Sequence, residues 1–407
     1  MAATIILRGT DNSALVPKYW STKFLKDSYA KDPTKPFYGA GIIMTEYNLK
    51  SEKGDTIEVP IVGQLTGSGV GNDGDYDSTS DALPLFNMPV RIYEHGNASQ
   101  LNGIMTEKSS ALRTRTLTME ALTGWRAAFN VRAIIDSLSG LLLHKLGGNV
   151  LGATSGLAKD GSSVQIGCVT QVTPAYTAGA TANRYYAGGQ VLSTGVYTGR
   201  VANISSLNDT NYAFGTKVIE DVKRMAEKTV DESDGSLISP IEKVVINGKP
   251  VFVMLITPKQ GRDLKADTNW RTAHESADIR GMENSIFAGT LGIWDGVMIV
   301  ETDLLHARAG ANGTTGPEYF DSTSYTCASG ETVNRALFLG KNAVAFAIGK
   351  APEYAEFYAD HAKTKWKARV TSIYGVMKVC KYESTTGDAA LVSDSERGCI
   401  IVDTAVA

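Results

Sequence analysis

Between residues 104 and 143, apolar side chains recur at three- and four-residue steps: Leu112, Met119, Leu122, Trp125, Phe129, Ile135, Leu138 and Leu142. Arg113, Arg115, Glu120, Arg126, Arg132 and Asp136 fall between them, and Gly140 with the pair Gly147–Gly148 brackets the end. This is the pattern of one long amphipathic helix. A helix cannot bury one face alone, so the stripe requires a sheet to lie on.

The rest of the chain supplies strands. SEKG (51–54) is a turn; IEVPIV (57–62) and PVRIYE (89–94) then flank the Gly-rich, acidic run GSGVGNDGD (67–75), which suits a long hairpin with a flexible tip. KVVI–NG–KPVFVMLIT (243–257) predicts a second hairpin, because Asn247–Gly248 tolerates the positive φ of a type I′ turn. Pro258 ends its second strand, and 259–265 starts a short helix. A further amphipathic helix is predicted over 211–229, with Val218, Ile219, Val222, Met225 and Ala226 on one face. Residues 286–300 are rich in Gly and strand formers, and WKARVTSIYGVMKVCKY (366–382) alternates as a strand. Strands and helices alternate without regular βαβ spacing, which favours α+β over a doubly wound sheet.

Two stretches differ in composition. Residues 150–211 are dominated by Gly, Ala, Thr and Ser; Val164, Ile166, Val169, Val172, Tyr185, Tyr186, Val191 and Tyr197 make them a small β-rich insertion rather than a linker. Residues 1–40 carry Trp20, Phe24, Tyr29, Phe37 and Tyr38 between helix-breaking prolines. These rings fit a terminus lying over its own domain, and equally an arm buried against a neighbouring subunit.

The bulk properties exclude several classes. A chain of 407 residues, 43% hydrophobic and 20% charged, is long enough for two or three domains or one discontinuous one. A net charge of −3 with no long basic run advertises no nucleic-acid grip. Cys168, Cys327, Cys380 and Cys399 form no C-x-x-C pair, against a zinc ribbon or a disulfide framework. No signal peptide and no apolar run of roughly 20 residues is present, so no membrane is expected. The chain reads as a reduced, soluble product of cytoplasmic synthesis.

Catalytic and ligand motifs are weak. Gly69, Gly71 and Gly74 form a literal G-x-G-x-x-G, but Asp73, Asp75, Asp77 and Asp81 would repel a pyrophosphate and no helix signal follows. An EF-hand loop from Asp73 needs Gly at 78 and Glu at 84, where Ser78 and Pro84 stand. His95, His144, His274, His306 and His361 make no metal-binding pair, and no G-x-S-x-G or P-loop occurs. Neither catalytic residues, cofactors nor metals are expected.

Five segments are distinctive in this order: SGVGNDGDYDSTSDAL (68–83), GIMTEKSSALRTRTLTMEALTGW (103–125), FVMLITPKQGRDLKADTNW (252–270), NSIFAGTLGIWDGVMIV (284–300) and ALFLGKNAVAFAIG (336–349). The chain resembles the major capsid proteins of short-tailed phages of the N-four type. That resemblance implies an α+β Hong Kong 97-type fold: an N-terminal arm (1–40), an extended β-hairpin loop (41–103), and a spine helix beginning the peripheral domain (104–149). The insertion (150–211), a peripheral-domain helix (212–242), an axial domain (243–350, with an excursion at 309–334), and a return strand and C-terminus (351–407) would follow. It implies a structural, non-enzymatic subunit of an icosahedral phage head around double-stranded DNA. Trp20, Phe24, Phe37, Tyr38, Gly67, Gly69, Gly71, Phe287 and Trp294 are the candidate contacts between subunits.

Implied partners are many copies of the chain in hexamers and pentamers, a separate scaffolding protein, a portal protein, a decoration protein and packaged DNA without sequence-specific contacts. Assembly would occur in the host bacterial cytoplasm. An encapsulin-like compartment shares the fold without these motifs; an α+β enzyme with an unrecognised site is the rival from another class.

Overall fold

The computed structural model describes residues 37, 40–46, 56–62, 71, 85–102, 114–139, 145–146, 149–150, 163–166, 169–172, 184–201, 206–230, 238–246, 248–278, 291–303, 305, 307–309, 332–358, 365–380, 382–385, 388–391 and 397–406. Strand β1 (Ile43–Glu46) precedes the hairpin of β2 (Thr56–Val62) and β3 (Leu85–Arg91), and β4 (Tyr93–Asn102) leads to the long helix α1 (Thr114–Ser139). Short strands β5 (Lys145–Leu146), β6 (Asn149–Val150), β7 (Ser163–Ile166) and β8 (Val169–Val172) follow, then β9 (Tyr185–Val191) and β10 (Val196–Arg200). Helix α2 (Thr216–Glu227) leads to β11 (Val244–Ile246) and β12 (Lys249–Ile256), and then to α3 (Pro258–Ala266) and α4 (Thr268–Asp278). The chain ends through β13 (Gly292–Trp294), β14 (Val297–Glu301), β15 (Ala307–Ala309), β16 (Thr332–Leu339), β17 (Val344–Tyr358), β18 (Lys365–Lys378), β19 (Tyr382–Thr385), β20 (Asp388–Leu391) and β21 (Cys399–Ala405).

Two sheets organise these elements. The larger has nine strands in the order β10-β9-β21-β16-β12-β14-β13, with β11 on β12 and β15 on β16. The smaller has six: β1-β17-β18-β8-β7, with β4 also on β18. Helix α1 lies on the smaller sheet, as its stripe requires. Met119 and Leu122 meet Tyr354, Trp366, Ala368 and Val370 at one end, and Phe129, Ile134, Ile135 and Leu138 join Phe346, Tyr374 and Val376 further along. Each such side chain contributes roughly 1.5–3 kcal/mol by leaving water.

The hairpin β11–β12 forms with Gly248 at φ +76°, as its dipeptide predicts; Asn247 lies outside the described residues. Helix α3 opens on a capping box: the Gln260 amide donates to Thr257 Oγ1 (3.2 Å), and the Thr257 amide donates back to Gln260 Oε1 (3.0 Å).

Three placements bear on the expected domain divisions. Helix α2, expected in the peripheral domain, packs on the nine-stranded sheet, because Val218, Ile219, Val222 and Met225 meet Phe252, Met254, Phe338 and Val402. Within 150–211, β9 pairs in parallel with β21 inside the larger sheet, while β8 pairs with β18 in the smaller one. The C-terminal β21 inserts between β9 and β16, with all seven residues buried, rather than staying with the return strand.

Candidate assembly surfaces

Burial along β18 alternates from Lys365 to Ile373: Trp366, Ala368, Val370 and Ser372 are buried, while Lys365, Lys367, Arg369, Thr371 and Ile373 are open or half-buried. From Tyr374 to Lys378 every residue is buried. Side chains on a strand point alternately to opposite faces, so one face of the sheet is covered along its whole length and the other only at one end.

The cover at that end is the hairpin β2–β3. Ile57, Val59, Ile61, Met88 and Val90 form its apolar face and rest on Ala345, Ala347, Met377, Val379 and Cys380. Small Ala345 and Ala347 admit it, and so does Gly375, where a Cβ would collide with the Arg91 carbonyl oxygen. Glu58, Pro60 and Val62 of β2 point outward. Pro60 and Pro89 lack a donor for any further ladder, which suits a ribbon of two strands among the described residues. The ribbon starts beside Gly375 and leaves towards Val62, which lines a recess with Ser239, Pro240, Glu242, Lys341, Asn342 and Arg397.

On the bare end of the same face, Lys365, Lys367 and Arg369 stand at alternate positions. Arg369 lies 5.8 Å over the ring of Phe357, which is 42% exposed. Lys350 pairs with Glu353 at 2.5 Å and, with Arg369 beyond it, holds that carboxyl below its usual range. The outer strand here is β4, paired antiparallel with β18 from Tyr93↔Tyr374 to Asn102↔Lys365.

The covered face holds a polar inclusion that sequence reading missed. His95 stacks on Phe129 (4.0 Å between centroids) and Trp125 (5.7 Å). Arg126, 3% exposed, donates to Ser372 Oγ and sits 4.6 Å over the Tyr374 ring. Burial pushes His95 down to about 4, and the Arg126 charge adds to the shift. The end of α1 is tied to the larger sheet by Arg335. Its Nη1 donates to the Ser139 carbonyl (2.7 Å), and its Nε and Nη2 fork onto Asp403 (2.8 and 2.7 Å). Tyr185 Oη also donates to Asp403 (2.8 Å). No local pattern announces either cluster, since each draws on segments tens to hundreds of residues apart.

Of the expected contact residues, Phe37, Gly71 and Trp294 lie among the described ones; Trp20, Phe24, Tyr38, Gly67, Gly69 and Phe287 lie outside them. Phe37 packs, half-buried, on its own core beside Ile42, whose amide donates to the Phe37 carbonyl (3.1 Å). Trp294 packs on Trp270 (5.9 Å) and donates from Nε1 to Glu220 (3.3 Å). Gly71 is exposed, with open space around it.

Among the described residues no three His, Cys, Asp or Glu side chains are grouped to hold a metal, and no helix is long and apolar enough to cross a membrane.

Comparison with known proteins gives a consistent picture. The family model described as phage capsid protein matches residues 10–407. The fold is similar to the capsid of Ralstonia phage GP4 (19% identity, TM-score 0.65, 90% of this chain and 88% of that one). It is also similar to the cyanophage Pam1 capsid (17%, 0.60, 89% of both) and to the capsid of Helicobacter pylori bacteriophage KHP30 (14%, 0.58, 90% of both). No curated protein matches in sequence. With the family match spanning almost the whole chain, the protein belongs to the phage capsid protein family, as a non-enzymatic major capsid protein of Hong Kong 97-like fold that forms the phage head.

Proposed function

We propose that copies of this chain close into hexamers and pentamers of an icosahedral head, with the hairpin β2–β3 and the arm 1–40 reaching over neighbouring copies. The larger sheet serves as the axial domain, and α1 with the smaller sheet as the peripheral domain. Such contacts are heterologous: one surface of each copy meets a different surface of the next, and rotation closes the ring.

The observation that carries this reading is the ribbon β2–β3. It uses its apolar face on its own sheet and then runs off the end of that sheet at Val62 and Leu85, with residues 63–84 still to come. A loop of that length in a compact domain calls for a function. A separate scaffolding protein would set curvature in the host cytoplasm, a portal would occupy one vertex, a decoration protein would sit on the outside, and DNA would fill the interior without base-specific contacts.

Electron microscopy of the chain expressed with its candidate scaffolding protein tests this. Closed shells with five- and six-fold rings are expected. Removing residues 2–36 should leave a folded subunit that forms no stable shells; normal shells from that variant would remove the arm from the account.

A further inference from the structure

Where the chain crosses from the larger sheet to the smaller, four segments meet around a recess of about 220 Å³. Backbone bonds hold its walls: the Lys341 amide donates to the Glu242 carbonyl (2.9 Å), the Gly340 amide to Gly398 (2.8 Å) and the Asn342 amide to Gly41 (2.9 Å). A Cβ at Gly340 would strike Ile241 and one at Gly398 would strike Ala343, so these segments lie as close as bare backbone allows. Two cations line the recess, Lys341 and Arg397. Lys341 meets Glu242 at 3.0 Å, whereas among the described residues no carboxylate meets Arg397. We propose that this recess receives a carboxylate from a second copy of the chain, that of Glu120 on the outer face of α1. This rests on the reading of the chain as one of many copies joined through heterologous contacts, and it names one such contact.

The chemistry selects a single carboxylate. A guanidinium presents a planar fork of N–H donors that a carboxylate matches with two hydrogen bonds. A nucleic-acid backbone calls for a row of cations, and here one unpaired cation stands beside the acid Glu242. Val62, 50% exposed, and Pro240 add an apolar rim. The outer face of α1 offers the counterpart. Glu120 is exposed and has no ion pair among the described residues, and Leu117, three residues before it, is 44% exposed. Residues three apart share a helix face, so the carboxylate and the apolar side chain stand together. A Cβ at Gly124, one turn on, would meet nothing within 4 Å, which leaves room for another molecule to approach. The chain's own Glu120 cannot reach the recess. Met119 beside it packs with Trp366, Ala368 and Val370 towards the outer end of β18, whereas Asn342 adjoins Val344, whose partner Lys378 ends the strand. The eight residues from Val370 to Lys378 span roughly 26 Å, several times the length of a glutamate side chain.

The test uses full-length chain assembled into shells. Arg397→Glu and Glu120→Arg are made separately and together. Each alone is expected to raise the chain concentration needed for half assembly by roughly tenfold, and the combination to restore it. Thermal unfolding of the unassembled subunit stays unchanged in all three, since neither side chain is buried. Arg397→Lys keeps the cation and supplies an amine that carbodiimide joins to a touching carboxylate. Shells of this variant, co-assembled from light and isotopically heavy chains, are expected to yield a mixed-mass link between position 397 and the peptide that contains Glu120.

Failure of the combination to restore assembly, with both single variants folded, overturns the pairing. Links from position 397 only to Glu242 or other acids of its own chain overturn the contact with a second copy. A link to a different acid of another chain overturns Glu120 as the occupant. Arg397→Glu shells that form normally but lose their DNA assign the recess to the genome instead. An unaltered chain that forms no closed shells overturns the many-copy reading itself, which the other outcomes leave intact.

Discussion

In the nine-stranded sheet, β16 runs between β21 and β12 with seven of its eight residues buried, and its one fully buried cation, Arg335, meets a carboxylate that Tyr185 also contacts. In the six-stranded sheet, β18 is buried on both faces only from Tyr374 onward, and its outer half shows cations on one face and packs around His95 and Arg126 on the other. In the first arrangement Arg335, Asp403 and Tyr185 satisfy one another inside the sheet. The second leaves a strand edge, a charged face and a partly exposed aromatic ring at the surface. On the proposed function, stability rests mainly on the larger sheet and adhesion on the smaller one, with α1 joining them.

The difference can be broken most severely at Arg335. Arg335→Met strands the Asp403 charge, and a loss of about 3–5 kcal/mol is expected in denaturant unfolding of the unassembled subunit. Arg335→Met with Asp403→Leu should recover much of it, because an apolar pair leaves no buried charge behind. A smaller effect is expected from Gly375→Ala. The new Cβ meets the Arg91 carbonyl, so the ribbon must shift, at about 1–3 kcal/mol. Hydrogen exchange should then rise in 56–62 and 85–91 while β16 and β21 keep their protection.

The polar inclusion under α1 sharpens the contrast through pH. His95 is held neutral in the fold down to about 4, against 6.5 for the free side chain. Between those values the unfolded chain binds a proton that the folded chain does not, so the stability present above pH 6.5 is progressively lost as pH falls towards 4. His95→Phe should flatten the part of the unfolding midpoint's pH dependence that lies in this window. Least of all is expected from Lys341→Ala. Its pair with Glu242 (3.0 Å) is 50% and 60% exposed, so less than about 1 kcal/mol is at stake.

Local patterns were legible wherever neighbours in sequence decide the structure. The α1 stripe, the Asn247–Gly248 turn and the alternation of 366–382 each predict an element that is found. Boundaries set by distant residues were not. The helix expected from 211 starts at Thr216, because Asp267 accepts from the Thr216 amide (2.8 Å) and Gln190 from the Lys217 amide (2.8 Å). The strand Tyr185–Val191 looked like part of an insertion because its partner, Ile401–Asp403, lies some two hundred residues onward. For the surfaces, alternation in β18 was visible, but which face stays bare depends on where the ribbon β2–β3 comes to rest. Of the aromatic residues expected at contacts, Phe37 and Trp294 are partly buried within their own chain.

Hydrogen exchange compared between the free subunit and the assembled shell tests the separation of roles most directly. New protection on assembly should concentrate in 85–102 and 365–371, with β12, β16 and β21 already protected in the free subunit and little changed. Protection gained chiefly in the nine-stranded sheet, with 365–371 unchanged, would contradict it.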